Sequence, residues 1–135
     1  MKTTAFICYE VAFNKMFFDS VKKGAQAFFI LSNEGWYENS FIAQQSLQHS
    51  IIRAVENRRS ITHASNSGIS AFINQRGDVL AMTDSKQADF LRHEINLNRK
   101  VTLAARLGNY IEILALLTTV SLFIYMIVFG KKHQR

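Results

Sequence analysis

The spacing of apolar and polar positions changes several times along this chain, and each change marks a predicted element. The apolar run "AFI" at 5–7 has the look of a short buried strand, and it leads straight into Cys8. From Asn14 to Lys23 the spacing is helical: Phe17 and Val21 stand one turn apart, Lys22 and Lys23 fall in the last turn, and Gly24 is placed to close the helix in the left-handed conformation. "AQAFFIL" at 25–31 is wholly apolar, as a strand covered on both faces must be, and "SNEGWYENS" follows as a polar loop. Phe41 to Arg58 is helical by period, with Leu47, Ile51 and Val55 on the apolar side and Gln48, Arg53, Asn57 and Arg58 polar. The period then becomes two. "SITHASNSGISAFI" runs through the turn "NQRG" into "DVLAM" as a β-hairpin, and Leu91, Ile95 and Leu97 alternate with Arg92, Glu94 and Asn96 as a last strand.

Strands that alternate with helices predict an α/β fold with parallel strands and helical crossovers. Two helices cannot cover both faces of four or more strands, so the pattern reads as the latter part of a larger domain, or as one that a partner chain completes.

The pattern ends on a different kind of segment. Ile113 to Phe129, "ILALLTTVSLFIYMIVF", gives 17 consecutive residues without charge or proline, followed by Gly130 and "KKHQR". At about 1.5 Å per residue, and with Tyr110, Ile111 and the stems of Lys131 and Lys132 extending it, such a helix reaches across a bilayer core of about 30 Å. A buried core helix is the alternative, but the polar remainder is too small to surround it. The predicted organisation is therefore a domain at 1–98, a basic juxtamembrane linker at 99–110, one transmembrane helix at 111–130 and a basic tail at 131–135. No signal peptide is expected, because Glu10 interrupts the first apolar stretch. Lys131, Lys132 and Arg135 after the span balance Arg92, Arg99, Lys100 and Arg106 before it, so charge alone does not set orientation.

Composition adds few constraints. The net charge is +6 over 135 residues, but the basic side chains are scattered without an aromatic-interleaved stripe, which argues against nucleic acid. Those flanking the span suit anionic headgroups. One cysteine allows no internal disulfide, and the four histidines have no ligand-like spacing with it, so no metal site or cofactor is expected. Histidines 49, 63, 93 and 133 are read as ordinary.

The candidate chemistry lies at "AFICYEVAF". A lone cysteine in an apolar run usually packs as an inert side chain. Here it stands at a predicted strand-to-helix corner, where neighbouring N–H groups are placed to hold an oxyanion and a helix N-terminus lowers a thiol pKa. Glu10, two residues on, needs a partner in such surroundings.

Four stretches, "ICYEVAF", "GAQAFFILSNEGWYENS", "IIRAVENRRSI" and "ASNSGISAFINQRGDVL", together with the terminal apolar run, resemble in order and spacing the last third of the bacterial apolipoprotein N-acyltransferases. The resemblance covers nearly the whole of 5–130. It implies the C-terminal part of a nitrilase-like αββα sandwich followed by one C-terminal transmembrane helix. It also implies a Glu, Lys, Cys catalytic set at the periplasmic side of the bacterial inner membrane. In that chemistry the cysteine takes an acyl chain from a phospholipid as a thioester and passes it to the α-amino group of an apolipoprotein's diacylglyceryl-cysteine. Cys8 matches the nucleophile, the backbone N–H of Tyr9 an oxyanion donor, and Glu10 the acid of the family's "CYE" triplet, read here as positioning. Asn33 and Trp36 match a substrate-side loop, in which Glu34 replaces the usual aspartate. Arg53 and Glu56 fall one turn apart and read as a structural pair. Asn66, Ser67 and Gly68 match a strand bend near the site.

The family's general-base glutamate and its lysine precede the cysteine. Here Lys2 is the only lysine before Cys8, and no acid precedes it. The resemblance therefore predicts a chain that acts only when joined to, or paired with, the part that carries them. The alternatives are a nitrilase-like amidase and a non-catalytic single-span membrane protein that keeps the half-domain for interaction.

Overall fold

In the computed structural model the described residues are 1–35, 40–84, 89–108 and 110–130. The chain folds as β1 (Thr3–Ile7), a 3₁₀ turn (Cys8–Ala12), α1 (Asn14–Lys22), β2 (Ala27–Ser32), α2 (Ser40–Asn57), β3 (Ser60–Ser65), β4 (Ala71–Ile73), β5 (Val79–Met82), α3 (Leu103–Leu107) and α4 (Tyr110–Gly130). The strands form one mixed sheet in the order β1-β2-β3-β4-β5. β1, β2 and β3 run parallel through the crossovers α1 and α2, and β4 and β5 add antiparallel. The predicted "NQRG" turn forms between β4 and β5: Gly77 has φ +92°, and Asn74 Oδ1 accepts from the N–H groups of Arg76 and Asp78.

Register sets Phe6, Ile30 and His63 in one row across the sheet, and Thr4, Phe28, Ile61 and Ile73 in the next. These side chains face α1 and α2. Phe6 stacks on Phe17 at 3.8 Å between centroids, and Phe28 meets both rings edge-on at 5.4 and 5.1 Å. Each such buried side chain contributes about 1.5–3 kcal/mol, which makes this row the centre of the core. On the opposite face Ala27 and Ser60 are buried where Asn96 meets the sheet, but at the other end Ile7 and Leu31, neighbours in register, are 65% and 51% exposed. A parallel sheet is stable with both faces covered, so this one presents an apolar face to a second layer.

Two expectations need correction. The buried side of α2 carries Ala43, Leu47, Ser50, Arg53, Ala54 and Asn57, whereas Val55 is 44% exposed. Small and hydrogen-bonded polar side chains let the helix approach the sheet, so hydrophobicity alone misplaces its inner face. The strand expected at 91–97 does not form. This stretch runs across the ends of the strands instead of along an edge, and contacts there hold it: Ser60 Oγ and Gln75 Nε2 donate to Asn96 O, Asn98 N–H donates to Gln26 O, and Asn98 Nδ2 donates to Arg58 O. Arg59, fully buried, latches the same end by donating to the carbonyls of Ala25, Asn57 and Lys100. Burial pulls its guanidinium down from the ordinary range.

Beyond this stretch α3 begins at Thr102, whose Oγ1 accepts from Ala105 N–H, and it lies against α1 and α2 with Ala105 fully buried. α4 is different. Its described side chains run from Glu112 to Ile127, and all of them are exposed. Among the described residues no helix is long and apolar enough to cross a membrane.

Candidate active site

Where β1 ends, the chain turns at Cys8, whose φ of 51° lies in the left-handed region that non-glycine residues seldom occupy. Such strain persists only where surrounding contacts enforce it, and it gathers at functional positions. Two contacts enforce it here. Glu10 Oε2 accepts from Ile7 N–H at 2.7 Å, reaching back over the corner as an N-terminal cap does. From α2, Arg53 Nε and Nη2 donate to the carbonyls of Val11 and Ala12 at 3.0 and 3.2 Å, while Nη1 pairs with Glu56. Arg53 and Glu56 thus form the pair the sequence predicts. The arginine uses its remaining donors to fix the turn that follows the cysteine, and its Cζ sits 5.9 Å from the Phe17 ring centre.

Cys8 opens onto a cavity of about 330 Å³ between the 3₁₀ turn, the end of β2 and the first half of α2. Tyr9, Val11 and Ala12 line it from the turn, Ser32, Asn33 and Glu34 from β2 and its loop, and Ile42, Gln45, Ser46 and His49 from α2. Two of the loop residues singled out in the sequence can be placed against it. Asn33 lies on the wall and its Oδ1 accepts from Gly35 N–H at 3.2 Å. Trp36 lies outside the described residues. The Tyr9 ring is exposed and packs edge-on against Phe13. Among the described residues, no group of three or more His, Cys, Asp and Glu side chains is arranged to hold a metal ion.

Glu34, seen in the sequence only as a substitution, is 93% buried by its 7% exposure, and Oε1 accepts from Ser32 Oγ at 3.0 Å. A Cβ on Gly68 would lie 1.6 Å from Glu34 Oε2, so the "NSG" bend owes its glycine to this carboxylate. The bend is tied to the same loop by Asn66 N–H, which donates to Ser32 O at 3.1 Å. His63, an ordinary residue by sequence, proves buried beneath α2, with Nδ1 2.7 Å from Ser50 Oγ and Nε2 4.0 Å from Glu34 Oε1. Burial lowers its pKa, and the nearby Glu34 charge offsets part of that shift. A signal for these residues was present. Ser46, His49, Ser50 and Arg53 recur at helical spacing as a polar stripe, and His63 alternates with Ile61 on the inward face of β3.

A strained cysteine at the C-terminal end of a parallel strand, held by a glutamate cap and opening onto a half-apolar cavity, is an arrangement suited to a thiol nucleophile. Residues 1–104 match the sequence pattern of the family described as carbon-nitrogen hydrolase. The chain belongs to that family. Among curated relatives, the chain is similar to the apolipoprotein N-acyltransferase of Synechocystis sp., 30% identical over 123 residues that make 91% of this chain and 24% of the relative. It is similar also to that of Mycolicibacterium smegmatis, 31% identical over 90% of this chain and 20% of the relative. The chain thus spans about a fifth to a quarter of the length of these relatives. Two solved structures share its fold. One is Nit3 of Saccharomyces cerevisiae, a member of branch 10 of the nitrilase superfamily, with a TM-score of 0.55 and 21% identity over 62% of this chain and 34% of that one. The other is an amidase mutant from Nesterenkonia sp. AN1 showing covalent addition of an acetamide moiety at the active site cysteine, with a TM-score of 0.51 and 21% identity over 61% of this chain and 33% of that one.

Proposed function

We propose that this chain is the C-terminal part of an apolipoprotein N-acyltransferase, with Cys8 as its nucleophile. The observation that carries the reading is the strained Cys8 corner opening onto a cavity, in a carbon-nitrogen hydrolase whose curated relatives bear that name. The Cys8 thiolate attacks the ester carbonyl of a phospholipid acyl chain. A C–S bond forms, the ester C–O bond breaks, and the lysophospholipid leaves with a proton. The α-amino group of an apolipoprotein's lipid-modified N-terminal cysteine then attacks the thioester, forming an amide and returning the thiol.

Each residue has a physical task in this scheme. N–H groups in the first turn of a helix lack intrahelical partners, and Tyr9 N–H is the one assigned to the oxyanion. Glu10 keeps the corner in place through Ile7 N–H and so acts on position, not on the proton. Asn33, on the cavity wall, and Trp36 are assigned to binding the acyl substrate. The general-base glutamate and the lysine come from the remainder of the full-length polypeptide, whose second layer covers the exposed Ile7 and Leu31 face. Without that remainder the thiol has no assigned proton acceptor and the chain is inactive.

α4 is the membrane-crossing element of this proposal, with 1–98 as the catalytic part, 99–110 as the linker, 111–130 as the span and 131–135 as the tail. Its 21 residues extend about 31 Å, the thickness of a hydrocarbon core. A helix apolar on every side and exposed along its length is stable in lipid and costly in water. In sequence the uncharged apolar run continues through Phe129. The site is assigned to the periplasmic side of the bacterial inner membrane. Replacing Cys8 by Ser in the full-length polypeptide should abolish N-acylation of a diacylglyceryl-modified lipoprotein. Acylation that survives the replacement sinks Cys8 as the nucleophile, and a full-length polypeptide with no N-acylation before the replacement favours the interaction role.

A further inference from the structure

Behind the Cys8 cavity runs a line of buried polar atoms that the acyl-transfer scheme does not use. Ser50 has a single hydroxyl hydrogen and donates it to Ser46 O at 3.1 Å. Of the two neutral tautomers of His63, the one with its proton on Nδ1 lets this oxygen, 2.7 Å away, accept while the hydroxyl keeps its bond to Ser46 O. In that tautomer Nε2 turns a lone pair toward Glu34 Oε1 across 4.0 Å. Two acceptors face each other there, and both His63 Nε2 and Glu34 Oε2 are buried with no hydrogen-bond partner among the described residues. Buried polar atoms left so are rare and costly. A proton on Nε2 removes the conflict by making an imidazolium that donates to the carboxylate.

The surroundings leave this pair to itself. From the 3₁₀ turn Cys8, and from α2 His49, line the cavity that Glu34 also lines. Arg53, one turn beyond Ser50, is committed to Val11 O, Ala12 O and Glu56. The neighbours of His63 in register, Ile30 and Ala71, are apolar, and the adjoining bend offers Ser65 Oγ and Gly68 without a charge. Glu34 also sits in the loop that forms a wall of the cavity, tied through Ser32 and packed against Gly68.

We propose that Glu34 and His63 are positioning residues of the Cys8 cavity. A proton taken up at His63 Nε2 closes the 4.0 Å gap to Glu34 Oε1 and draws the Ser32–Gly35 loop against β3, and loss of the proton releases that loop. The pair thereby sets the shape of the acyl-side wall as pH crosses the histidine range. This rests on the reading of the Cys8 cavity as the active site.

Histidine-selective ¹⁵N NMR on the full-length polypeptide in phospholipid nanodiscs tests it, with His63 assigned by its disappearance in His63→Gln. The neutral ring should carry its proton on Nδ1 and the acid form on both nitrogens, and the amide signals of Asn33 and Gly35 should move with the same midpoint. Glu34→Gln should lower that midpoint by about one unit, a tenfold loss of proton affinity. A neutral ring protonated at Nε2, loop amides indifferent to His63, or a midpoint unmoved by Glu34→Gln overturns the proposal. If Glu34→Gln does not fold, the tautomer and the loop amides of the unaltered protein decide alone. Cys8→Ala should leave the titration in place, so loss of acyl transfer and loss of the switch are separately readable.

Discussion

Gly68 is a glycine because the carboxylate of Glu34 occupies the space a Cβ would need, 1.6 Å from Oε2, with Ser65 Oγ at 2.7 Å on another side. Gly68→Ala must displace a buried acid, and it should cost about 1–3 kcal/mol in denaturant unfolding, as overpacking a tight site does. Restoring room with Glu34→Asp should recover part of that loss. His63 makes a second prediction at the same scale. Its folded pKa lies below 6.5 because burial opposes the charge, so between these values the unfolded chain binds more protons than the folded one. The stability it contributes is complete above the ordinary histidine value and is lost as pH falls below it. The unfolding midpoint should fall through this window in the unaltered protein, and His63→Gln should flatten the dependence. A dependence that persists unchanged in His63→Gln assigns it to another group.

At the level of elements, the corner after β1 depends on α2. Arg53 ties Val11 O and Ala12 O to the helix, and Arg53→Met keeps the apolar stem while removing those bonds. It should slow alkylation or acylation of Cys8 several-fold and cost about 1–3 kcal/mol of stability, since it leaves the buried carbonyl of Val11 without its donor. Arg59→Met should instead lower stability by about 2–4 kcal/mol, because it leaves the carbonyls of Ala25, Asn57 and Lys100 without their donor. The elements show what a sequence reveals of such a fold. β1, α1, β2, the second helix and the β4–β5 turn were all legible, since apolar period and turn chemistry directly report local geometry. The inner face of α2 was not, because Ser50, Arg53 and Asn57 are buried by hydrogen bonds that only tertiary structure supplies. The same reason hid the 91–97 stretch: its alternation fits a strand, but its carbonyl partners are side chains at the strand ends. The Cys8 corner was visible as residue types in order. The Glu34–His63 pair joins positions far apart in the sequence: the inward face of β3 marks His63 singly, but nothing local marks the two as partners.

For the whole molecule, the exposed Ile7 and Leu31 on the sheet and a helix α4 whose described side chains are all exposed both ask for further cover. Fusing Tyr110–Gly130 to a soluble reporter should hold that reporter in membranes through alkaline carbonate extraction, and its release contradicts the role given to α4. The central claim, that Cys8 carries an acyl group between lipid and protein, is tested most directly by intact-protein mass spectrometry of the full-length polypeptide incubated with phospholipid. The account predicts a mass increase of one acyl chain at Cys8 that hydroxylamine removes and that Cys8→Ser never acquires. A protein that transfers acyl chains to lipoprotein without that adduct, or with it on another residue, contradicts the account.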